Sequence, residues 1–259
     1  MGCCDVEDRR DLKRNENINS FEPRSQQPEQ PMNFESFNKG LCQSIYSSLP
    51  PRQNTNLEEL KSIMKDKTKN LSEKEKAYVI FLWITHNIDY DTEGFFSGNL
   101  GDCAPETVFR KGKGVCSGYA NLFKSIADNL GLNVECVTCY CKGYGYEPGQ
   151  QFTKTDHEYN VININNKWYN IDSTWGAGHL KGNQFIREYN EFYFFVDPEL
   201  LIKTHYPADP KWLMTNKKYT LEEFSRWPKV FYFSKFLPPL SFFIPPSKNF
   251  DRGVPKLKK

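Results

Sequence analysis

The stretch HEYNVININNKWYNID, residues 157–172, constrains this chain more than any other. Two strand-like runs meet at Asn165-Asn166, a pair that tolerates the positive φ of a tight hairpin turn. With a two-residue turn, Ile164 pairs with Lys167 and Tyr159 lies opposite Asp172. His157 and Asp172 then become diagonal neighbours on one face of a sheet, within reach of a His–carboxylate hydrogen bond. A four-residue loop keeps that facing, whereas a three-residue loop breaks it.

Upstream, GKGVCSGYANLFKSIADNLG (112–131) places Cys116 where a glycine-rich loop turns into an amphipathic helix ending at Gly131. A thiolate there is favoured by unpaired backbone N–H groups and the positive end of the helix dipole. The same groups could hold an oxyanion after attack on a carbonyl. Gly114 and Gly118 are expected to keep side chains clear of an approaching substrate backbone. The hairpin supplies what such a nucleophile requires: His157 as general base, and Asp172 to orient it. Asp172 is expected to accept Nδ1–H, leaving Nε2 to take the proton from Cys116. Spacing leaves open whether that face of the hairpin looks toward Cys116. Of the other histidines, His86 falls at a helix end and His205 in a loop. His179, seven residues past Asp172, is a structural residue or an edge of the same site, the former being favoured.

Helical spacing dominates as far as Gly131. Helices are predicted over 33–48, from Asn56 with Leu57, Leu60, Ile63 and Met64 on one face, and from Ser72 to about Asn87. Ser72 and Glu75 form a capping box at the start of the third. Strands follow at 133–140, on either side of Asn165-Asn166, and at 191–196. Helices first and strands after predict an α+β domain with a mainly antiparallel sheet. The 20 Phe, 14 Tyr and 5 Trp residues supply a large core. Residues 1–30 read as a disordered N-terminal segment, 31–215 as the domain, and 216–259 as a proline-rich extended arm.

Eight cysteines, with no apolar N-terminal run and no bilayer-length stretch, predict reduced thiols in a cytoplasmic protein. Cys136, Cys139 and Cys141 form a CxxCxC cluster, but no further ligand follows at zinc spacing, so small residues alternating along a strand is the favoured reading. With 34 basic residues against 32 acidic ones, nothing argues for a nucleic-acid partner. The chain opens on MGCC, making Gly2 a candidate for myristoylation and Cys3 and Cys4 for palmitoylation, which together would attach it peripherally to a membrane. Val6, standing where Ser or Thr is expected, weighs against that reading.

The motifs KGVCSGYANLF, DHEYNVI, NKWYNIDSTWGAGH and YFFVDPELLIKTHYPADPKW follow one another, preceded by FLWITHNIDYD, over roughly 55–215. Together they resemble the transglutaminase-like superfamily, specifically its kyphoscoliosis peptidase branch. The resemblance implies a papain-like fold, with the cysteine-bearing helix packed against the sheet that carries the other two groups. It implies Cys116 as nucleophile, His157 as general base and Asp172 as the orienting acid, with no cofactor and no metal. The implied activity is that of a cysteine-peptidase-type hydrolase working through a thioester on protein substrates, cytoskeletal ones among them. Glutamine transamidation or deamidation would use the same three groups. Some relatives that have lost the triad serve as cytoskeletal or cytokinesis interaction modules. Tyr159 stands where the family commonly has Trp, and Ser117 replaces a frequent acidic residue, yet neither change removes a catalytic group.

Overall fold

Most of the predicted elements form where their periodicities place them. The structure, a computed structural model, describes residues 37–230, and its first half is helical. Helices α1 (Lys39–Ser47), α2 (Leu57–Thr68) and α3 (Glu73–Asn87) each begin at a side-chain cap. Asn38, Asn56 and Ser72 accept the backbone N–H groups of Leu41, Glu59 and Glu75, and Ser72 with Glu75 completes the capping box. From Ala77 to Thr85 every residue of α3 is buried, so this helix is apolar all round and runs through the core. Strands β1 (Asp89–Tyr90) and β2 (Lys113–Gly114) pair in parallel, with α4 (Thr92–Ser97) and α5 (Pro105–Lys111) between them. They lead into α6 (Cys116–Asn129), which stops just before Gly131 at φ 78°.

The second half comprises β3 (Asn133–Cys141), β4 (His157–Ile164), β5 (Lys167–Ile171), α7 (Ser173–Ala177), a hairpin of β6 (Gly178–Lys181) and β7 (Gln184–Arg187), β8 (Phe194–Val196), α8 (Pro198–Leu201), β9 (His205–Pro207) and α9 (Leu221–Arg226). Five strands form one antiparallel sheet in the order β8-β5-β4-β3-β9. Asn165 and Asn166 adopt φ of 52° and 62°, and Ile164 pairs with Lys167, giving the two-residue turn and the register the sequence predicts. Helix α6 packs on β3 and β4, and α3 packs on α6 and α7. This is the predicted α+β arrangement, with the helix that begins at Cys116 packed against the sheet that carries His157.

Three expectations change. The helix predicted over 33–48 begins only at Lys39, because Asn38 caps it in a non-helical conformation. The predicted strand 191–196 opens instead as a 3-10 turn, Glu191–Tyr193, and only Phe194–Val196 pairs with β5. The Asn190 side chain accepts the Phe192 N–H and diverts the backbone from the ladder. Residues 216–230 are not an extended arm: α9 is capped by Thr220 and Glu223, and Phe224 is fully buried against Ile202, Tyr206 and Leu213. The N-terminal segment, with Gly2, Cys3 and Cys4, and the chain beyond residue 230 lie outside the described residues. Among the described residues no helix is long and apolar enough to cross a membrane.

Candidate active site

Cys116 is the first residue of α6, and the N-cap, Val115, brings no side-chain acceptor to the helix start. The helix is aimed by two buried bonds: Tyr119 Oη donates to Ile88 O at 2.7 Å, and Asn160 Nδ2 to Ala120 O at 3.1 Å. The glycines flanking Cys116 serve packing rather than access. A Cβ on Gly118 would stand 2.8 Å from Val108 Cγ2, and one on Gly114 would stand 3.2 Å from Val108 Cγ1. They let α5 press against α6 at the turn that carries Cys116, which corrects the reading of an open approach for substrate.

At the end of the hairpin Asp172 leaves β5 and caps α7, its Oδ1 accepting the Trp175 N–H at 2.9 Å. Its Oδ2 accepts from His157 Nε2 at 2.7 Å and from His205 Nε2 at 3.0 Å. The His157–Asp172 bond is thus present, but through Nε2 instead of the expected Nδ1. All three side chains are buried, at 6, 1 and 1% exposure for His157, Asp172 and His205. Burial opposes ionisation of Asp172. The electrostatic influence and hydrogen bonds of His157 and His205 outweigh it and hold the carboxyl well below the usual carboxylate range. Burial lowers His205, against the opposing pull of Asp172, so it is neutral at neutral pH. Its Nε2 carries the proton given to Asp172, and its Nδ1 accepts from Thr204 Oγ1 at 2.8 Å.

His205 is the residue that sequence reasoning missed. It lies in a three-residue strand, too short to show alternation. The signal is in the register: Cys139 pairs with both His157 and Pro207, so His205, two residues before Pro207, shares the face of His157. Glu158 points the other way, toward α6, where burial raises its carboxyl against the lowering effect of the Ser117 hydroxyl beside it. Ser117 follows Cys116 and Glu158 follows His157, so the first turn of α6 meets the start of β4.

His157, Asp172 and His205 also place three ligand-type atoms within 4.8 Å of one another. Zinc ligands at about 2.0–2.1 Å in a tetrahedron would stand about 3.3 Å apart. Separations of 2.7 and 3.0 Å between imidazole nitrogen and carboxylate oxygen are instead those of direct hydrogen bonds.

A cavity of about 500 Å³ opens beside His157, within the range of ligand clefts. The β3–β4 loop contributes Gly143 and Tyr144, α7 contributes Trp175, and the β6–β7 hairpin contributes His179 and Phe185. The Trp175 ring stands 4.6 Å from His205 and 5.9 Å from His157, so it is both a wall and a packing partner of the two imidazoles. His179 edges the cavity and pairs with Glu188 at 3.4 Å. Cys116 is 2% exposed and does not line this cavity. Cys136 lies on the opposite face of β3 from Cys139 and Cys141, so the CxxCxC thiols do not converge.

Residues 60–173 match the model of the transglutaminase-like superfamily, a span that contains Cys116, His157 and Asp172. This stretch of the chain is a transglutaminase-like domain. The chain is 35% identical over 156 residues to kyphoscoliosis peptidase of Mus musculus, covering 59% of this chain and 24% of that protein. It is 34% identical over 153 residues to kyphoscoliosis peptidase of Homo sapiens, covering 58% and 23% respectively. Hillarin of Drosophila melanogaster is 29% identical over 170 residues, covering 60% of this chain and 20% of its own length. These matches place the transglutaminase-like domain in the kyphoscoliosis peptidase branch and span about a quarter of the relatives' length or less.

Proposed function

We propose that this chain is a cysteine hydrolase of the peptidase type, acting on protein substrates through Cys116, His157 and Asp172, with His205 as a second imidazole holding Asp172. The observation that carries the reading is the buried 2.7 Å bond between His157 and Asp172, in a sheet against which the helix beginning at Cys116 packs. Because Asp172 engages Nε2, His157 exchanges protons with Cys116 through Nδ1. The thiol proton passes to Nδ1 as the sulfur adds to the substrate carbonyl, and backbone N–H groups at the start of α6 receive the oxyanion. Nδ1 then protonates the leaving amine, and the acyl group remains on Cys116 as a thioester. Water, deprotonated by Nδ1, cleaves the thioester and restores the thiol. Asp172 stays ionised throughout, in keeping with its depressed carboxyl.

The mouse and human relatives carry the name of a peptidase, which supports hydrolysis over transfer. An amine in place of water would give transamidation on the same thioester. The test is to label the folded protein with an electrophilic cysteine probe, map the adduct, and analyse products from a protein substrate with and without added primary amine. We expect an adduct on Cys116 that is lost in His157→Ala, and free carboxylate as the product. An unlabelled Cys116 would leave a non-catalytic interaction module as the better reading.

A further inference from the structure

Lys142 stands at a junction that the proposed chemistry does not use. It follows β3 directly, and its backbone N–H donates to Thr204 O at 2.9 Å. Thr204 is also the residue whose hydroxyl meets His205. The Lys142 side chain is fully buried, at 0% exposure. Among the described residues its ammonium donates to two backbone carbonyls, Phe224 at 2.6 Å and Trp227 at 2.7 Å, and lies 4.3 Å from the centre of the Phe224 ring. Burial, aided by the charge of Lys203, pushes it down to about 8. An ammonium withdrawn from water without a counter-charge is costly, and an apolar side chain of the same length would avoid that cost. What the ammonium supplies is donors for the carbonyls that end α9.

Two further bonds join the same segments. Tyr146 Oη donates to Ser225 O at 3.2 Å, and Lys229 Nζ donates to Gly143 O at 2.6 Å. Phe152 adds a ring contact with Phe224 at 5.3 Å. The β3–β4 loop is therefore held along its length by residues 224–229, and this loop presents Gly143 and Tyr144 to the cavity beside His157. Across the mouth, Tyr144 meets Phe96 of α4 at 5.5 Å between ring centres. The holding segment lies beyond the stretch shared with the superfamily model, which ends at residue 173.

We propose that Lys142 is a positioning residue of this cleft: its buried ammonium clamps residues 224–229 against the β3–β4 loop and so fixes the wall against which a protein substrate is held. The effect on substrate rests on the catalytic reading above, whereas the clamp does not. The test compares the whole chain with Lys142→Met, Tyr146→Phe and Lys229→Met. It uses amide hydrogen exchange over residues 143–152 and saturation kinetics of Cys116 alkylation by a dipeptidyl chloromethyl ketone. In Lys142→Met we expect loop exchange at least tenfold faster and a half-saturating reagent concentration raised fivefold or more, with the limiting rate within about threefold. Tyr146→Phe and Lys229→Met should move both readouts the same way by smaller factors, and they carry the test if Lys142→Met does not fold. Unchanged loop exchange in the variants would overturn the clamp, and faster exchange with an unchanged half-saturating concentration would overturn its role in the cleft. Absence of any saturable alkylation in the parent protein would refute the catalytic reading and the cleft role with it, with hydrogen exchange still deciding the clamp.

Discussion

Asp172 makes three hydrogen bonds with two oxygens, and that determines how it responds to substitution. From sequence alone Asp172→Asn is a near-isosteric exchange that spares the fold and isolates the chemistry. The structure alters that expectation. An amide oxygen turned toward the two imidazoles leaves the amide NH₂ facing the Trp175 N–H, donor against donor. Asp172→Asn should therefore cost about 1–3 kcal/mol of stability and also slow acylation of Cys116 by about 10–10³-fold. Denaturant titration beside the alkylation rate checks both, and an unaltered rate would sink the triad assignment. The other thiols provide an internal control. Burial pushes Cys42 up to about 11 and Cys136 up to about 12, so neither carries appreciable thiolate near neutral pH. Mass-spectrometric mapping after brief alkylation at pH ~6.5 should find Cys116 modified more than about tenfold faster than Cys42. Equal rates would count heavily against an activated nucleophile.

Between elements, the contact that seats Cys116 is α5 against α6 at Val108 and Gly118. The 2.8 Å approach that a Cβ would make there cannot be relieved by a flexible side-chain tip, since valine is stiff at χ1. Gly118→Ala should destabilise by about 1–3 kcal/mol through overpacking. Adding Val108→Ala should return part of that loss, so the pair is non-additive in thermal or denaturant unfolding. Strict additivity would show that Gly118 is not needed for this packing. The β4–β5 hairpin is the opposite case, an element whose geometry is decided within itself. Both turn asparagines occupy the left-handed region, which Asn tolerates better than most side chains, and the register of His157 against Asp172 follows from that turn.

For the molecule as a whole, the pH dependence of stability has a sign that the buried groups set. His205 is lowered in the folded state, so below about 6.5 the unfolded chain binds a proton that the folded one resists. Its contribution is complete above that pH and falls on acidification by up to about 1.4 kcal/mol per pH unit. Asp172, depressed, keeps its contribution above its unfolded value near 4 and loses it progressively as pH falls from there to its much lower folded value. Asp156 and Glu158 are both raised, chiefly by burial, and act in the opposite direction at carboxylate pH. The informative window is therefore about pH 5.5–6.5. Urea titrations there should show the parent protein losing stability on acidification and His205→Gln, which cannot titrate, losing less. Equal slopes would contradict a neutral, buried His205.

The α+β order, the capped helix starts, the placement of Cys116 at a helix N-terminus and the pairing of His157 with Asp172 were all legible in the sequence. Each depends on short-range rules: which side chain accepts an N–H three residues on, which residues tolerate positive φ, and the two-residue period that sets the facing of a strand. What sequence reasoning missed lies at long range. His205 reaches Asp172 from 33 residues away, and Lys142 reaches Phe224 from 82. The choice of Nε2 over Nδ1, the role of Gly118 as a seat for Val108, and the docking of α9 beside the cleft are likewise decided by what packs against them. A turn and a strand period are local constraints, set by residues adjacent in the chain. Which short strand lies beside β3, and which carbonyls face a buried ammonium, exist only once the apolar faces of distant segments have been buried together, so the tertiary structure alone decides them.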